Sequence, residues 1–268
     1  MAADVMGGPQ PESLAVREFV RANRGRSTCL GYGCYASHRH RYVYLSLGKV
    51  VSTKIKADLH RLEGYELPAN PGQVHDRTEE GQDFVPSLID FTEDEAVEAL
   101  MSPQWLRFCF VRNPYYRLFS AYKSKILNWK DEQYMPFQQE IREHFDYPVR
   151  DGRPAGMVSF RDFVTYLEGQ AREQWDGHWN LQSRALYPDQ IDYDCTGCVE
   201  NFGSDFAEIL RRLGAPPAAS SLDERFNPTV KIYHAAVYDA ELAGRVYEMY
   251  REDFERYGYD RDSWLFDF

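Results

Sequence analysis

The chain has 268 residues, 43% of them hydrophobic and 15% aromatic, which is enough to bury a full core. It carries 31 Lys and Arg against 42 Asp and Glu, a formal charge of −11, which excludes bulk attraction to nucleic acid, anionic membranes or polyanionic glycans. Any anion site must therefore be a local concentration of cations. No apolar run approaches the roughly 18 residues that span a bilayer. The opening "MAADVMGGPQPES" lacks the basic-then-apolar order of a secretory leader. With five cysteines, too few and odd in number for a disulfide framework, the expectation is a soluble cytoplasmic protein with reduced thiols.

Residues 1–40 are polar and Gly-rich and read as a loose N-terminal arm, with a short helix possible at "PESLAVREFVRANRG"; residues 41–268 read as a single domain. The run "RYVYLSL" is aromatic and β-branched and stops at Gly48, the pattern of a buried strand and a turn. In "VSTKIKADLHRLEG", Ile55, Leu59 and Leu62 have helical spacing and Gly64 supplies the stop. Residues 65–90 are rich in Pro, Gly and polar side chains and read as a substrate loop or a partly disordered segment.

Thr92 and Glu95 form a capping box for "TEDEAVEALM". "LRFCFV" reads as a second buried strand, followed by Asn113 as N-cap and Pro114 as the first helical residue. A Ser cap and Gly169 bracket "SFRDFVTYLEG". "IDYDCTGCVE" is a third strand, "SDFAEILRRLG" a capped helix, and "DAELAGRVYEMYREDFERYG" a long amphipathic helix with Leu242, Val246, Met249, Tyr250 and Phe254 on one side. Strands alternating with helices predict an α/β fold, a P-loop-like three-layer α/β/α arrangement around a central parallel sheet.

Two strand-to-helix junctions concentrate cations and hydroxyls. In "LGKVVSTKIK", Lys49 lies in the turn and Ser52 and Thr53 at the helix start, where open backbone N–H groups favour a phosphate. The order differs from the Walker A loop, whose Gly-rich stretch precedes the lysine and whose Ser or Thr follows it directly; an ordinary helix cap with exposed lysines is the bland alternative. At the second junction Arg112 ends a buried strand and Ser120 follows two helical turns later. A guanidinium can hold a phosphate through two parallel hydrogen bonds. In a doubly wound sheet both junctions fall at the carboxyl ends of strands, where ligands bind. Arg117, Lys123 and Lys125 add to the basic character of the second junction, and Lys54, Lys56, Lys123 and Lys125 read as solvated helix faces or, for about half of them, as walls of the positive pocket.

"FVRNPYYRLFSAYKSKI" resembles the 3′-phosphate segment of sulfotransferases that use 3′-phosphoadenosine 5′-phosphosulfate (PAPS). "GKVVSTKIK" is similar to their 5′-phosphosulfate loop in the chondroitin and HNK-1 carbohydrate branch. "HWNLQSRALYPDQIDYDCTGCVE" and "VYEMYREDFERYGYD" resemble that branch's His-Trp region and its Tyr-x-x-Asp-Phe ending. The resemblance implies PAPS as co-substrate and adenosine 3′,5′-bisphosphate as product, held by Lys49, the amides around Val50 and Val51, Ser52, Thr53, Arg112 and Ser120. It also implies a hydroxyl-bearing small molecule, glycan or glycolipid as acceptor. The related Golgi enzymes carry a membrane anchor and paired cysteines near the His-Trp segment, where this chain has "YPDQ", so their location and acceptor are not carried over.

Sulfuryl transfer leaves charge on the departing phosphate oxygen, a role for Lys49, and needs a base for the acceptor hydroxyl. His178 in "DGHWN" is the candidate base, with Asp176, Glu173 and Glu200 as competitors. Trp175 and Trp179 read as a sugar-stacking surface or as core. His38 and His40 read as solvent-exposed, and no metal is expected. A kinase using ATP and a catalytically silent nucleotide-binding scaffold are the competing functions.

Overall fold

A computed structural model describes residues 11–23, 30–31, 33–67, 87–128, 131–215 and 237–266. In chain order the elements are α1 (Pro11–Asn23), β1 (Cys34–Ser37), β2 (Tyr42–Leu45), α2 (Ser52–Glu63), α3 (Glu93–Met101), β3 (Leu106–Val111) and α4 (Pro114–Ala121). A π-helical turn, Tyr122–Ile126, follows. Next come α5 (Met135–His144), β4 (Val149–Arg150), β5 (Arg153–Pro154), α6 (Phe160–Glu168), α7 (Gln182–Ala185), β6 (Cys195–Cys198), α8 (Phe202–Arg212) and α9 (Ala240–Tyr257). Of the anticipated substrate loop, residues 68–86 lie outside the described residues.

The described residues group into two compact units, the first drawn from 1–47, 51–111 and 184–228, the second from 48–50, 112–183 and 229–268. The first holds a four-stranded sheet in the order β1-β2-β3-β6. Strands β2, β3 and β6 are parallel, as expected of an α/β fold with a P-loop-like centre, and β1 pairs antiparallel with β2. All four residues of β2 are fully buried, which is why that strand reads as an unbroken apolar run rather than an alternating one. Tyr44 lies opposite Phe108 in the register, and their rings stack at 4.9 Å.

Within residues 1–40 the anticipated short helix forms, while the expectation of a loose arm is corrected by its anchoring and by the strand that follows it. Residues Pro11–Asn23 do form the helix, and α1 is fastened to the start of α3 by Arg17 and Arg21 on Glu93 and Asp94. Cys34–Ser37 then forms a sheet strand with Cys34 and Ala36 fully buried. Four residues at an antiparallel edge are too short for their alternation to stand out among glycines.

Several local signals match the structure. Gly64 ends α2 with φ 88, and Thr92 and Glu95 exchange both capping-box hydrogen bonds. Asn113 Oδ1 accepts from the N–H of Tyr115, and Ser159 caps α6. Helix α8 begins at Phe202, two residues ahead of its expected Ser cap.

Gly197 pairs with Phe110 across β6 and β3, and a Cβ built on it would lie 2.4 Å from the Phe110 ring. That ring packs against Phe202 and Phe206 at 5.4 and 6.1 Å, so it has no free side to retreat to. Gly197→Ala is therefore expected to destabilise the protein by about 2–3 kcal/mol, the cost of overpacking a closed core; a urea midpoint equal to that of the wild type would show that the strand absorbs the methyl group.

The second unit packs α4, the π turn, α5, α6 and α9 around Phe119, Tyr122, Phe163, Trp179, Tyr250 and Phe254, all buried. All five apolar positions read on α9 are buried here. Trp175 and Trp179 belong to this core, with exposures of 6% and 2%, so the sugar-stacking expectation is corrected: their faces are covered by Tyr250, Phe137 and Phe163.

Candidate active site

The residues with chemistry to do converge within the second unit. Lys49 lies in the turn Gly48–Val50 with φ 70. Its Nζ donates to Ser124 Oγ at 2.7 Å, and its carbonyl accepts from the Arg112 guanidinium at 3.3 Å. Lys49 and Arg112, separated by 63 positions in sequence, thus meet at one place. Burial, followed by the charges of Lys125, Arg112, Lys123 and Arg117, pushes the Lys49 amine down to about 8. Burial and Arg112 lower Lys123 as well. Lys125 is balanced by Asp131 at 3.0 Å.

The frame behind these cations is polar and buried. Gln182 pairs with the backbone of Arg112 on both sides: its Oε1 accepts from the Arg112 N–H at 2.9 Å and its Nε2 donates to the Arg112 carbonyl at 2.8 Å. Asp253 in turn accepts from the N–H groups of Gln182 and Ser183 at 2.9 and 2.8 Å. Burial raises Asp253 above the ordinary carboxylate value despite these hydrogen bonds. The "HWNLQSR" and "YREDF" segments are therefore structurally joined to Arg112, a link that spacing along the chain does not show.

Arg117, read from sequence as part of the anion-binding cluster, has another role. It is 1% exposed. Its Nε donates to Gly48 O at 3.1 Å and its two terminal nitrogens to Asn180 O and Gly177 O at 2.6 and 2.9 Å. The guanidinium fastens the turn carrying Lys49 to the turn carrying His178. A Cβ placed on Gly48 would meet His178 Cδ2 at 3.1 Å, so the imidazole lies directly against the residue before Lys49.

His178 Nδ1 lies 2.6 Å from Asp176 Oδ1 and 2.9 Å from the Tyr134 hydroxyl, which also donates to Asp176 Oδ2 at 3.1 Å. Burial alone would raise Asp176, but hydrogen bonds from His178 and Tyr134 outweigh it and hold the carboxyl below its ordinary value. Burial, with Asp176 beside it, pushes the Tyr134 phenol up, so it stays neutral.

Ser120 is half-buried in the last turn of α4. In the first unit, Ser52 and Thr53 open α2, whose first turn carries no acidic side chain, so the positive end of the helix dipole is not offset there by a carboxylate. Val51 precedes them with φ 62, a left-handed conformation that a β-branched residue resists; together with Lys49 it makes the loop a strained one, of the kind found where backbone is shaped around a ligand.

Lys54 and Lys56 are corrected from solvated faces. Both are buried, Lys54 on Asp58 at 2.9 Å and Lys56 over the Tyr35 ring at 4.6 Å. His38 is exposed as expected, with one face on Phe91, whereas His40 is largely covered and its Nε2 lies 4.0 Å from Glu63. Glu200 belongs to the first unit, and Glu173 stands in the turn before Trp175. Ser124, Tyr134 and Gln182 escaped the sequence reading because their roles are contacts over 44 to 75 positions.

The sulfotransferase family model matches residues 33–260, and the chain belongs to that family. Its relatives include carbohydrate sulfotransferase 10 of Xenopus laevis, 28% identical over 253 residues, covering 87% of this chain and 68% of that protein. Carbohydrate sulfotransferase 12 of the same species is 30% identical over 171 residues, covering 59% of this chain and 41% of its own. Carbohydrate sulfotransferase 14 of Danio rerio is 27% identical over 226 residues, covering 82% and 60%. The chain thus spans between 41% and 68% of the length of these relatives. No solved structure matches it.

The relatives overturn the cytoplasmic expectation. They are named carbohydrate sulfotransferases, whereas that expectation rested on apolar patterning and cysteine number alone. Among the described residues no helix is long and apolar enough to cross a membrane.

Proposed function

We propose that this chain moves a sulfuryl group from PAPS to a hydroxyl of a carbohydrate or glycolipid. The observation that carries the reading is the meeting of Lys49, Arg112 and His178 on a frame built by Arg117 and Gln182. A lysine pushed down by burial and four like charges sits in a positive field that a polyanion relieves. That is the fit expected of a phosphosulfate with a second phosphate.

When bound, PAPS supplies the activated sulfuryl group, and adenosine 3′,5′-bisphosphate is what remains. Arg112 and Ser120 would hold the 3′-phosphate; Lys49 and the amide of Val50 would hold the 5′ end. His178 takes the proton of the acceptor hydroxyl. Lys49 meets the charge that develops on the departing phosphate oxygen, so catalysis is alignment and electrostatic stabilisation.

Ligand-induced stabilisation tests the donor. Adenosine 3′,5′-bisphosphate should raise the melting temperature, by the equivalent of about 2.7 kcal/mol at a hundredfold excess over its Kd, while ATP with magnesium should not. Equal shifts from the two would favour the kinase reading. A shift from the bisphosphate with no labelled-sulfate transfer to any glycan, lipid or phenol would leave a silent nucleotide-binding protein.

A further inference from the structure

Two side chains, Asp176 and Tyr134, meet at His178, and their geometry fixes a proton that the sulfotransferase reading leaves unplaced. Asp176 Oδ1 is 2.6 Å from His178 Nδ1 and also accepts the His178 backbone N–H at 2.9 Å. The Tyr134 hydroxyl spends its hydrogen on Asp176 Oδ2, which leaves its oxygen, 2.9 Å from Nδ1, as an acceptor there. An ionised carboxylate oxygen and a hydroxyl oxygen cannot both approach a bare imidazole nitrogen so closely, because three lone pairs would face one another. Nδ1 must carry the proton.

We infer that Asp176 and Tyr134 are positioning residues that lock His178 in its Nδ1–H tautomer and hold Nε2 free to accept the proton of an incoming hydroxyl. The inference rests on the sulfotransferase reading for the identity of that hydroxyl, but the tautomer itself does not.

The lock is built from three directions. Asp176 precedes His178 by two residues and grips both its backbone and its ring. Tyr134 reaches in from the start of α5, and Lys125, 4.5 Å above the Tyr134 ring, covers the phenol from the π turn. On the other side Gly48 lies against the ring carbon Cδ2, which neighbours Nε2. The ring can neither rotate toward Gly48 nor exchange its nitrogens without breaking the contacts to Asp176 and Tyr134. A carboxylate bonded to one imidazole nitrogen sets the tautomer and orientation in which the other works as a base.

The test uses the full chain labelled with 15N-histidine, with His178 assigned by comparison with His178→Gln. Long-range 1H–15N spectra, recorded where the imidazole is neutral, report which nitrogen holds the proton. The wild type should show the proton on Nδ1. Asp176→Asn keeps an oxygen for the His178 backbone N–H, so the turn should survive, yet its neutral amide no longer selects the tautomer. The spectra should move toward a mixture, and kcat should fall on the order of 10²-fold with the affinity for adenosine 3′,5′-bisphosphate unchanged. Tyr134→Phe should shift the mixture in the same direction by less.

A wild-type proton on Nε2, or an Asp176→Asn protein with the wild-type tautomer and turnover, would overturn the lock. The Nδ1–H signature in a protein that transfers sulfate to no acceptor would support the lock and sink the sulfotransferase reading instead.

Discussion

Replacing Lys49 with alanine is expected to lower sulfuryl transfer by at least about 10²-fold without lowering the melting temperature. The two halves of that outcome share one cause. Lys49 sits among Lys125, Arg112, Lys123 and Arg117, and burial together with these four charges holds its amine near 8 instead of the ordinary 10.5. The charge proposed to neutralise the leaving oxygen is one the fold alone would rather not carry, the usual conflict between a working site and stability. Removing it relieves repulsion, so stability should be unchanged or higher.

The pH dependence has a definite sign. A lysine lowered on folding binds fewer protons in the native state than in the unfolded chain between pH 8 and 10.5, so its contribution favours folding increasingly as pH rises through that window. The stability advantage of Lys49→Ala should therefore shrink from pH 8 upward. Transfer runs the other way, because only the ammonium form can neutralise the leaving oxygen. The kcat/KM for the donor should decline as pH climbs through about 8. Lys49→Arg, charged at every accessible pH, should remove that decline from whatever transfer survives. An alanine variant retaining more than about a tenth of wild-type turnover would show that the leaving group is stabilised elsewhere.

What the sequence revealed and what it hid divide along contact range. Gly64, the Thr92–Glu95 box, the Asn113–Pro114 start and Ser159 are local devices whose partners lie within four residues, and each appears where its chemistry places it. Strands β2 and β3 were legible because burial on both faces leaves unbroken apolar runs, whereas β6, with Thr196 exposed, stands out only by its small residues and the helix that follows. The frame of the site was not. Gln182 reaches Arg112 across 70 positions, Asp253 reaches Gln182 across 71, and Tyr134 reaches His178 across 44.

Composition was also a poor guide to what each cation holds. Arg112 and Arg117 stand in one short segment, five residues apart, yet one points its guanidinium to the Lys49 turn while the other is spent on three backbone carbonyls. The π turn explains why Ser124 was invisible. Its extra residue per turn breaks the 3.6-residue period at Lys123, Ser124 and Lys125, and the Ser124 hydroxyl meets Lys49 there.

Arg117 carries the second large effect. Arg117→Ala should cost about 3–5 kcal/mol in stability, the range for removing one partner from a buried charged network. Gly48, Asn180 and Gly177 would each lose a charge-assisted donor, and the vacated volume could fill only partly. Arg117 also lowers Asp253, whose carboxyl burial already raises. Without the guanidinium that carboxyl rises further. An acid raised on folding favours the native state toward low pH, so the stability deficit of Arg117→Ala should narrow as pH falls toward the ordinary carboxylate value of 3.8. Urea midpoints at two pH values measure this.

Lysine at the same position separates charge from geometry. A single ammonium restores the cation, but one nitrogen cannot stand in for three that bond three carbonyls at separate places. Arg117→Lys should recover part of the lost stability and keep Asp253 near its native behaviour. Turnover should stay low, because the turns carrying Lys49 and His178 would no longer be clamped, and a displacement near 1 Å in such a frame can cost about 10²-fold. Wild-type stability together with wild-type turnover in Arg117→Lys would mean that the cation alone suffices and that the forked hydrogen bonding to Gly48, Gly177 and Asn180 does not set the distance between the leaving-group lysine and the base.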